Sequence, residues 1–382
     1  MVTKRLGGWV SGSAGSQARL MQLSPPQSLR AGFCDKISKV LQVEQQILES
    51  VGCVNPLRSD SGQLNAVLPQ YKFVGSFSAA KQEIYTIAVR PDGRQLVTAG
   101  GDRQAQVWAL GSAPKKVRSV QLQARRTMCM ALCPDGETAV SGGEDNRVHV
   151  WGITDGKLKC TFQGHKDAVS GVTVLQSRDL VVSTSLDKTI RVWSMKTGKA
   201  ARAPIKCEER VLCATFSPDG KTLLAGFEGG KIRAWKKLGG GPAFELVGHR
   251  DDVSGVVVTP DSKRAVSGSG DRAVLVWDLE AREKLMFCLL GHDKAITSVV
   301  MFPGGERVAS SSEDGNIIVW NLGTGTREKR IKIAETQMIA LGVTPDESTL
   351  VTGGTDGKIR VWTTGGPMTR LDSALLAIAT ST

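Results

Sequence analysis

Hydrophobic and polar residues alternate in short segments that recur along most of this chain. The segments KTIRVW (188–193) and NIIVW (316–320) are two examples, and both end in a tryptophan. Alternation with a period of two residues is typical of β-strands. Turn sequences of the PDG type lie between such segments, so the pattern predicts many short strands joined by tight turns.

The spacing of these segments is nearly constant. Seven of them end in a tryptophan, at intervals of 42 or 43 residues: Trp108, Trp151, Trp193, Trp235, Trp277, Trp320 and Trp362. Six of the seven repeats have serine or threonine ten residues before the tryptophan, and the same six have aspartate six residues before it. A unit of this size holds about four short strands and cannot bury both of its faces alone, so the repeats must stack on one another.

Three repeats add a Gly-His pair in an identical register. The histidine precedes the serine by 18 residues, the aspartate by 22 and the tryptophan by 28. With this register the sequence resembles the WD40-repeat family, over about residues 70–365. The resemblance implies an all-β fold, a seven-bladed WD40 β-propeller. The spacing of apolar residues before it adds an N-terminal extension that contains one short helix.

The resemblance also implies a hydrogen-bonded network that stabilises the blades. An imidazole can link a carboxylate to a hydroxyl, and the same hydroxyl can accept the indole N–H. The implied sets are His165, Ser183, Asp187 and Trp193; His249, Ser267, Asp271 and Trp277; and His292, Ser310, Asp314 and Trp320. Repeats one, two and seven keep the hydroxyl, aspartate and tryptophan but have Ala80, Gln123 and Ala334 at the histidine position.

In such a propeller, a strand from the other end of the chain closes the ring. Residues 71–77 would then form the outer strand of the blade that ends at Trp362, which would remove two exposed sheet edges. Residues 368–376 are the alternative closing segment. The propeller is accordingly predicted over 71–365.

The chain ends outside the repeats are predicted from composition and spacing. Residues 1–34 contain four basic residues and no acidic one, which fits a basic disordered tail or a transit peptide. The pattern of residues 35–52 predicts an amphipathic helix that packs on the propeller or binds a partner. Residues 53–70 are predicted to be a linker, and residues 366–382 a C-terminal tail. We expect a cytoplasmic protein, or one of a mitochondrion or plastid if residues 1–34 are a transit peptide.

The composition argues against catalysis and metal binding. Three of the four histidines belong to the implied network, and the fourth, His149, lies on an alternating segment where a structural role is expected. The eight cysteines form no CxxC pair and mostly lie in apolar runs. We find no nucleotide-binding or hydrolase motif and no apolar run near the ~18–20 residues that cross a bilayer. We therefore expect no enzyme activity, no catalytic residue, no cofactor and no metal.

Because catalysis and metal binding are not expected, the sequence predicts a binding function. The expected partners are other proteins in a multi-subunit assembly. By resemblance, the binding residues lie just after the histidine position and just before the turn aspartate. Their mixed signs of charge favour a protein over a nucleic acid. The candidates are Arg125, Arg126, Glu144, Leu186, Phe227, Glu228, Arg250, Asp252, Lys294 and Glu313.

A basic run at residues 114–126 provides an alternative function. The chain has a formal net charge of +12, and this run contains Lys115, Lys116, Arg118, Arg125 and Arg126 without an acidic residue. Much of the run is predicted to be the outer strand of the first blade, where charge prevents pairing with other chains. The alternative is a patch for RNA, a ribonucleoprotein, another acidic polymer or an anionic membrane, and a basic strip that continues across adjacent blades would favour it.

The fourth repeat, AGFEGGKIRAW (225–235), departs from the others. It has Cys207, Ala225 and Gly229 at the histidine, hydroxyl and aspartate positions, so no member of the network is expected to lack a partner. Phe227 stands where the other six repeats have glycine or serine. We predict that this blade is locally softer and that Phe227 and Glu228 contact a partner. Drift in a dispensable network is the alternative.

Overall fold

The described residues form seven antiparallel sheets, and six of them have four strands while one has five. The computed structural model describes residues 71–364, apart from 112–113, 123, 176–178, 237–240, 282–283 and 334–335. The first strand of each sheet packs beside the first strand of the next, and the last sheet packs beside the first. The predicted seven-bladed, all-β propeller is therefore confirmed, and the helix predicted over 35–52 lies outside the described residues.

The blades follow one another in chain order, and each runs from an inner to an outer strand. Blade 1 comprises β2 (Ile84–Val89), β3 (Gln95–Gly100), β4 (Gln104–Ala109) and β5 (Lys115–Gln121). Blade 2 comprises β6 (Thr127–Leu132), β7 (Thr138–Gly143), β8 (Arg147–Gly152) and β9 (Leu158–Gln163). Blade 3 comprises β10 (Val169–Leu175), β11 (Leu180–Ser185) and β12 (Thr189–Ser194), and its outer strand is split into β13 (Lys199–Ala200) and β14 (Ile205–Lys206).

The remaining blades complete the ring. Blade 4 comprises β15 (Val211–Phe216), β16 (Leu223–Phe227), β17 (Ile232–Trp235) and β18 (Phe244–Leu246). Blade 5 comprises β19 (Val253–Val258), β20 (Arg264–Ser269), β21 (Ala273–Asp278) and β22 (Lys284–Leu290). Blade 6 comprises β23 (Ile296–Met301), β24 (Arg307–Ser312), β25 (Asn316–Asn321) and β26 (Thr326–Lys332), and blade 7 comprises β27 (Met338–Val343), β28 (Thr349–Gly354) and β29 (Lys358–Thr364).

Strand β1 (Tyr71–Ser78) supplies the outer strand of blade 7 and closes the ring. It pairs antiparallel with β29, and Phe73 lies opposite Trp362 with 4.8 Å between the ring centroids. The closure predicted for residues 71–77 is thus confirmed. The alternative segment, 368–376, lies outside the described residues.

The hydrophobic core lies between neighbouring blades. Val266 and Val276 of blade 5, for example, pack with Val308 and Ile318 of blade 6 in one buried cluster. These side chains come from alternating positions of adjacent strands, as the period of two predicts. Each blade therefore depends on its neighbours for burial of its apolar faces.

The ring has two faces with different roles. The hairpin between the first and second strands of each blade lies on one of them, which we call the hairpin face. Salt bridges join neighbouring blades there, between Arg90 and Glu137 and between Arg307 and Glu347. On the opposite side, which we call the loop face, the segment that enters each blade meets the turn between its second and third strands.

Candidate functional site

Three blades contain a complete hydrogen-bonded tetrad beneath the loop face. In blade 6, His292 Nδ1 lies 3.0 Å from Asp314 Oδ2, and its Nε2 lies 2.8 Å from Ser310 Oγ. Trp320 Nε1 donates to the same Oγ at 2.9 Å. Blades 3 and 5 repeat these contacts at 2.7–3.0 Å in the sets His165, Asp187, Ser183, Trp193 and His249, Asp271, Ser267, Trp277.

The tetrad also fixes the loop that enters the blade. Asp314 Oδ2 accepts the backbone N–H of Asp293 at 2.9 Å, and Asp271 Oδ2 accepts that of Arg250 at 3.0 Å. Burial alone would raise the pKa of Asp314, but the hydrogen bonds from His292 and the backbone hold that pKa well below its ordinary value. The carboxylate therefore stays ionised and keeps the loop in place.

Blades 2 and 7 satisfy the turn aspartate in another way. His149, two residues before the tryptophan of blade 2, places Nε2 2.6 Å from Asp145 Oδ2. Arg360 holds the same position in blade 7 and donates to Asp356 at 2.5 Å. A polar residue two places before the tryptophan is the sequence signal for this unpredicted arrangement. The signal is not specific, because Gln106 holds this position in blade 1 with its buried Oε1 lacking a partner among the described residues, and Arg191 holds it in blade 3, which has the Gly-His pair.

The indole of blades 1 and 2 still has its hydroxyl acceptor. Trp108 donates to Thr98 at 3.3 Å, and Trp151 donates to Ser141 at 3.1 Å. In blade 7, by contrast, the indole N–H of Trp362 is buried without a partner among the described residues. The network is therefore complete in blades 3, 5 and 6, lacks its histidine in blades 1 and 2, and in blade 7 lacks the indole hydrogen bond as well.

Blade 4 corrects two of the sequence predictions. Trp235 keeps its indole N–H, which is buried without a partner among the described residues, so the loss of the network is not complete. Phe227 has no exposed surface and cannot contact a partner. Its ring lies 6.3 Å from that of Trp235, close to the 6.2–6.5 Å between histidine and tryptophan in blades 3, 5 and 6. Phe227 thus provides the buried ring that histidine provides elsewhere.

An ionic cluster replaces the aspartate of blade 4. Arg233, two residues before the tryptophan, donates to Glu209 on the entering loop and to Glu245 on β18, at 2.9 Å in each case. Its guanidinium also lies 4.9 Å from the centre of the Phe227 ring. Lys231 donates to Glu209 at 2.7 Å and thereby lowers the pKa of that carboxyl. The blade is therefore held by charge pairs at its edge.

The turn of blade 4 also explains why aspartate is missing. Gly229 and Gly230 have φ values of +78° and +93°, and two successive positive φ angles favour glycine. The Gly229 N–H donates to Asp252 Oδ1 of the next blade at 3.0 Å. Asp252, a candidate for partner binding, therefore also links blades 4 and 5.

Nine of the ten candidate binding residues lie on the loop face with accessible side chains. Arg126 and Glu144 form a partly exposed pair at 3.4 Å, and Glu228 lies 4.0 Å from Arg210. Leu186 and Glu313 are half-buried, and Arg125, Arg250, Asp252 and Lys294 are exposed. Apart from Leu186, these nine comprise four cations and four carboxylates, spread over blades 2 to 6.

The basic run divides between two surfaces. Lys115, Lys116 and Arg118 lie on β5 and are exposed, whereas Arg125 and Arg126 lie on the loop face. The run is therefore not one continuous patch. The reason is that the chain turns inward at Leu122 and Ala124, which are both buried.

Within the described parts of residues 71–364, we find no group of three His, Cys, Asp or Glu side chains that could hold a metal ion. No helix in these parts is long and apolar enough to cross a membrane. Burial raises the pKa of Cys207 to about 11, which keeps this thiol neutral.

The repeats match one protein family along most of the propeller. The family is described as WD domain, G-beta repeat, and the matched segments are residues 71–109, 117–152, 156–194, 204–236, 240–278, 283–321 and 334–363. Together they cover about two thirds of the chain. There is one match for each blade, and the first, for example, joins β1, the outer strand of blade 7, to the first three strands of blade 1.

Individual relatives match the chain only in part. An F-box/WD-40 repeat-containing protein of Arabidopsis thaliana is 34% identical over 133 residues, which are 31% of this chain and 24% of the relative. Periodic tryptophan protein 2 of the same plant is 31% identical over 115 residues, or 30% of this chain and 13% of the relative. The ribosome biogenesis protein WDR12 homolog of Oryza sativa subsp. japonica is 24% identical over 226 residues, or 55% of this chain and 48% of the relative. The chain thus matches less than half the length of each of these proteins.

Proposed function

Since this chain belongs to the WD40-repeat family, we propose that it is a non-enzymatic scaffold that binds other proteins on its loop face. Propellers of this family generally bind proteins in complexes and are generally not enzymes. We further propose that the chain is a subunit of a larger assembly. The observation that supports this most is the mixed charge of the loop face. The tetrads below this face fix the loops that carry the charged side chains.

The physical argument rests on rigidity and charge. Asp187, Asp271 and Asp314 each tie an entering loop to a buried network, so the loop side chains lose little further conformational freedom when a partner binds. Alternating cations and carboxylates select a partner with a complementary pattern of charge. A uniform polyanion would meet repulsion at Glu144, Glu228 and Asp252.

Capture of partners by the full chain tests this proposal. The variant Arg250→Glu/Lys294→Glu reverses two exposed charges of the loop face, and we expect it to lose protein partners that wild type retains. The matched control is Arg94→Glu/Lys196→Glu, which changes two exposed cations of the hairpin face that form no salt bridge with a described residue. Equal retention by both variants, with unfolding curves like that of wild type, would contradict the proposal.

A second candidate function is association with RNA or a ribonucleoprotein. The observation that favours it is the distribution of positive charge over the outer strands. One relative is named for ribosome biogenesis, which is consistent with this candidate but concerns that protein.

A further inference from the structure

We propose that the outer strands of blades 1 to 3 form a binding surface for a single-stranded polynucleotide, contacted through its phosphates. This surface, which we call the basic rim, comprises β5, β9, β13 and β14. It is separate from the loop face and does not depend on protein binding there.

The positive charge of the propeller is concentrated on its outer strands. The strands β1, β5, β9, β13, β14, β18, β22 and β26 together contain twelve lysines and arginines and two glutamates, a net charge of +10. Residues 71–364 as a whole carry +9. The inner strands, hairpins and loops of this region therefore sum to −1, and almost none of the excess charge lies on the two faces of the ring.

The basic rim combines six cations on three adjacent blades with no acidic residue on the same strands. All of its cations are exposed, and none forms a salt bridge with a described residue. They are Lys115, Lys116, Arg118, Lys159, Lys199 and Lys206. On blade 6, by comparison, Glu328 lies among the cations of β26 and Arg330 pairs with Asp293 at 2.6 Å. Strand β1 of the adjacent blade 7 adds a single cation, Lys72, so the larger group of cations on adjacent blades without a neighbouring carboxylate lies on the rim of blades 1 to 3.

Protection of sheet edges does not account for this amount of charge. A lysine on an outer strand is enough to discourage pairing with another chain. Strands β1, β9 and β22 each carry a single lysine, and β18 carries none. Three cations within four residues of β5 exceed what its edge requires.

The curvature of the rim selects among polyanions. Seven blades divide the ring, so neighbouring outer strands face directions that differ by one seventh of a turn, about 51°. A flat membrane cannot contact blades 1 and 3 together, and duplex DNA is stiff over tens of nanometres, so bending it around the rim costs several kcal/mol. A flexible single strand can follow all three blades.

Exposed apolar side chains lie among the cations. Val117, between Lys116 and Arg118, is 54% exposed, and Leu158, next to Lys159, is 49% exposed. A single-stranded polynucleotide alternates charged phosphates with flat bases, and the bases can cover such side chains. A purely acidic peptide offers no group for them.

The rim ends at blade 4. Its outer strand β18 has three residues, and Glu245 at its centre is engaged by Arg233 at 2.9 Å. Strand β18 therefore contributes no cation where the next blade would otherwise continue the rim. The bound segment is therefore limited to one side of the ring.

Binding of labelled oligonucleotides to the full chain tests the proposal. The probes are oligouridylate and oligodeoxythymidylate of roughly 20 nucleotides, longer than the site of one small binding domain; a duplex of the same length, anionic vesicles and polyglutamate serve as competitors. We expect both single strands to bind at about 0.1 M salt and the competitors to bind at least tenfold more weakly. Tighter binding of oligouridylate than of oligodeoxythymidylate would identify RNA as the ligand. Equal binding of the two would mean that the rim recognises the phosphates that RNA and DNA share.

A matched pair of variants separates the contribution of the rim cations to binding from the effect of the net charge of the protein. The rim variant is Lys115→Gln/Lys116→Gln/Arg118→Gln, and the control is Arg94→Gln/Lys221→Gln/Lys263→Gln, which removes the same charge from exposed residues of the hairpin face. The rim variant should bind about tenfold more weakly, with a salt slope shallower by about 2, while the control changes less than about threefold. Equal losses in both variants, tighter binding to vesicles or polyglutamate, or no single-strand binding by wild type would overturn the proposal. Capture of protein partners by the rim variant should stay normal, which distinguishes this test from that of the loop face.

Discussion

Blades 4 and 6 are built from the same kind of repeat but are stabilised in different ways. Blade 6 places an imidazole between a carboxylate and a hydroxyl, whereas blade 4 places the Phe227 ring at the same distance from its tryptophan and moves the charges to an edge cluster around Arg233. The last three strands have six, six and seven residues in blade 6 but five, four and three in blade 4. Different sets of residues can thus support the tryptophan and the turn of a blade.

The strongest test of this comparison is removal of the ring in blade 4. Phe227→Ala should lower the free energy of unfolding by about 3–5 kcal/mol, because a fully buried aromatic side chain leaves a cavity. Urea unfolding of the full chain measures the loss, and Glu228→Ala, at the exposed neighbouring position, is the control with an expected change within about 0.5 kcal/mol. A loss for Phe227→Ala below about 1 kcal/mol would show that the ring does not support the blade.

The next test compares the histidine position of the two blades. His292→Ala should cost about 2–3 kcal/mol, since Ser310 and the ionised Asp314 would lose their buried partner. Cys207→Ala, at the equivalent position of blade 4, should cost less than about 1 kcal/mol because this half-buried thiol serves only packing. Urea unfolding of both variants distinguishes the cases, and equal losses would mean that blade 4 depends on this position as blade 6 does.

The smallest expected effect is a gain. Ala225→Ser would give the Trp235 indole N–H the acceptor that Ser310 gives Trp320, and the added hydrogen bond should stabilise the chain by about 1 kcal/mol. The reverse change in blade 6, Ser310→Ala, should destabilise it. A loss of stability from Ala225→Ser would mean that Phe227 fills the space the hydroxyl needs.

Much of this fold follows from the spacing of a few residue types. The period of the tryptophans predicts the number of blades. The register of Gly-His, serine and aspartate carries the resemblance to the WD40 family, and that resemblance implies which side chains the three tetrads bring together. The closing strand follows from the position of residues 71–77 relative to the first repeat. These features are predictable because each depends on positions that recur in the same register from repeat to repeat.

Blade 4 was harder to predict because its substitutions compensate one another in space. An apolar residue beside a turn suggests an exposed contact, but Phe227 is buried in one cluster with Trp235, against which Cys207 packs. The role of Arg233 depends on Glu209 and Glu245, which are 24 and 12 residues away in the sequence. A polar residue two places before the tryptophan, as at His149 and Arg360, was the signal available for such substitutions.

Cross-linking mass spectrometry of the endogenous assembly tests the central claim, that proteins dock on the loop face. Lysines are available on every surface, so the positions of the cross-links identify the docking side. Cross-links to partner proteins should concentrate on the exposed loop-face residues Lys81, Lys166, Lys188 and Lys294. Cross-links that fall instead on the hairpin face, at Lys196, Lys221 and Lys263, with the four loop-face lysines unmodified by partners, would contradict the account.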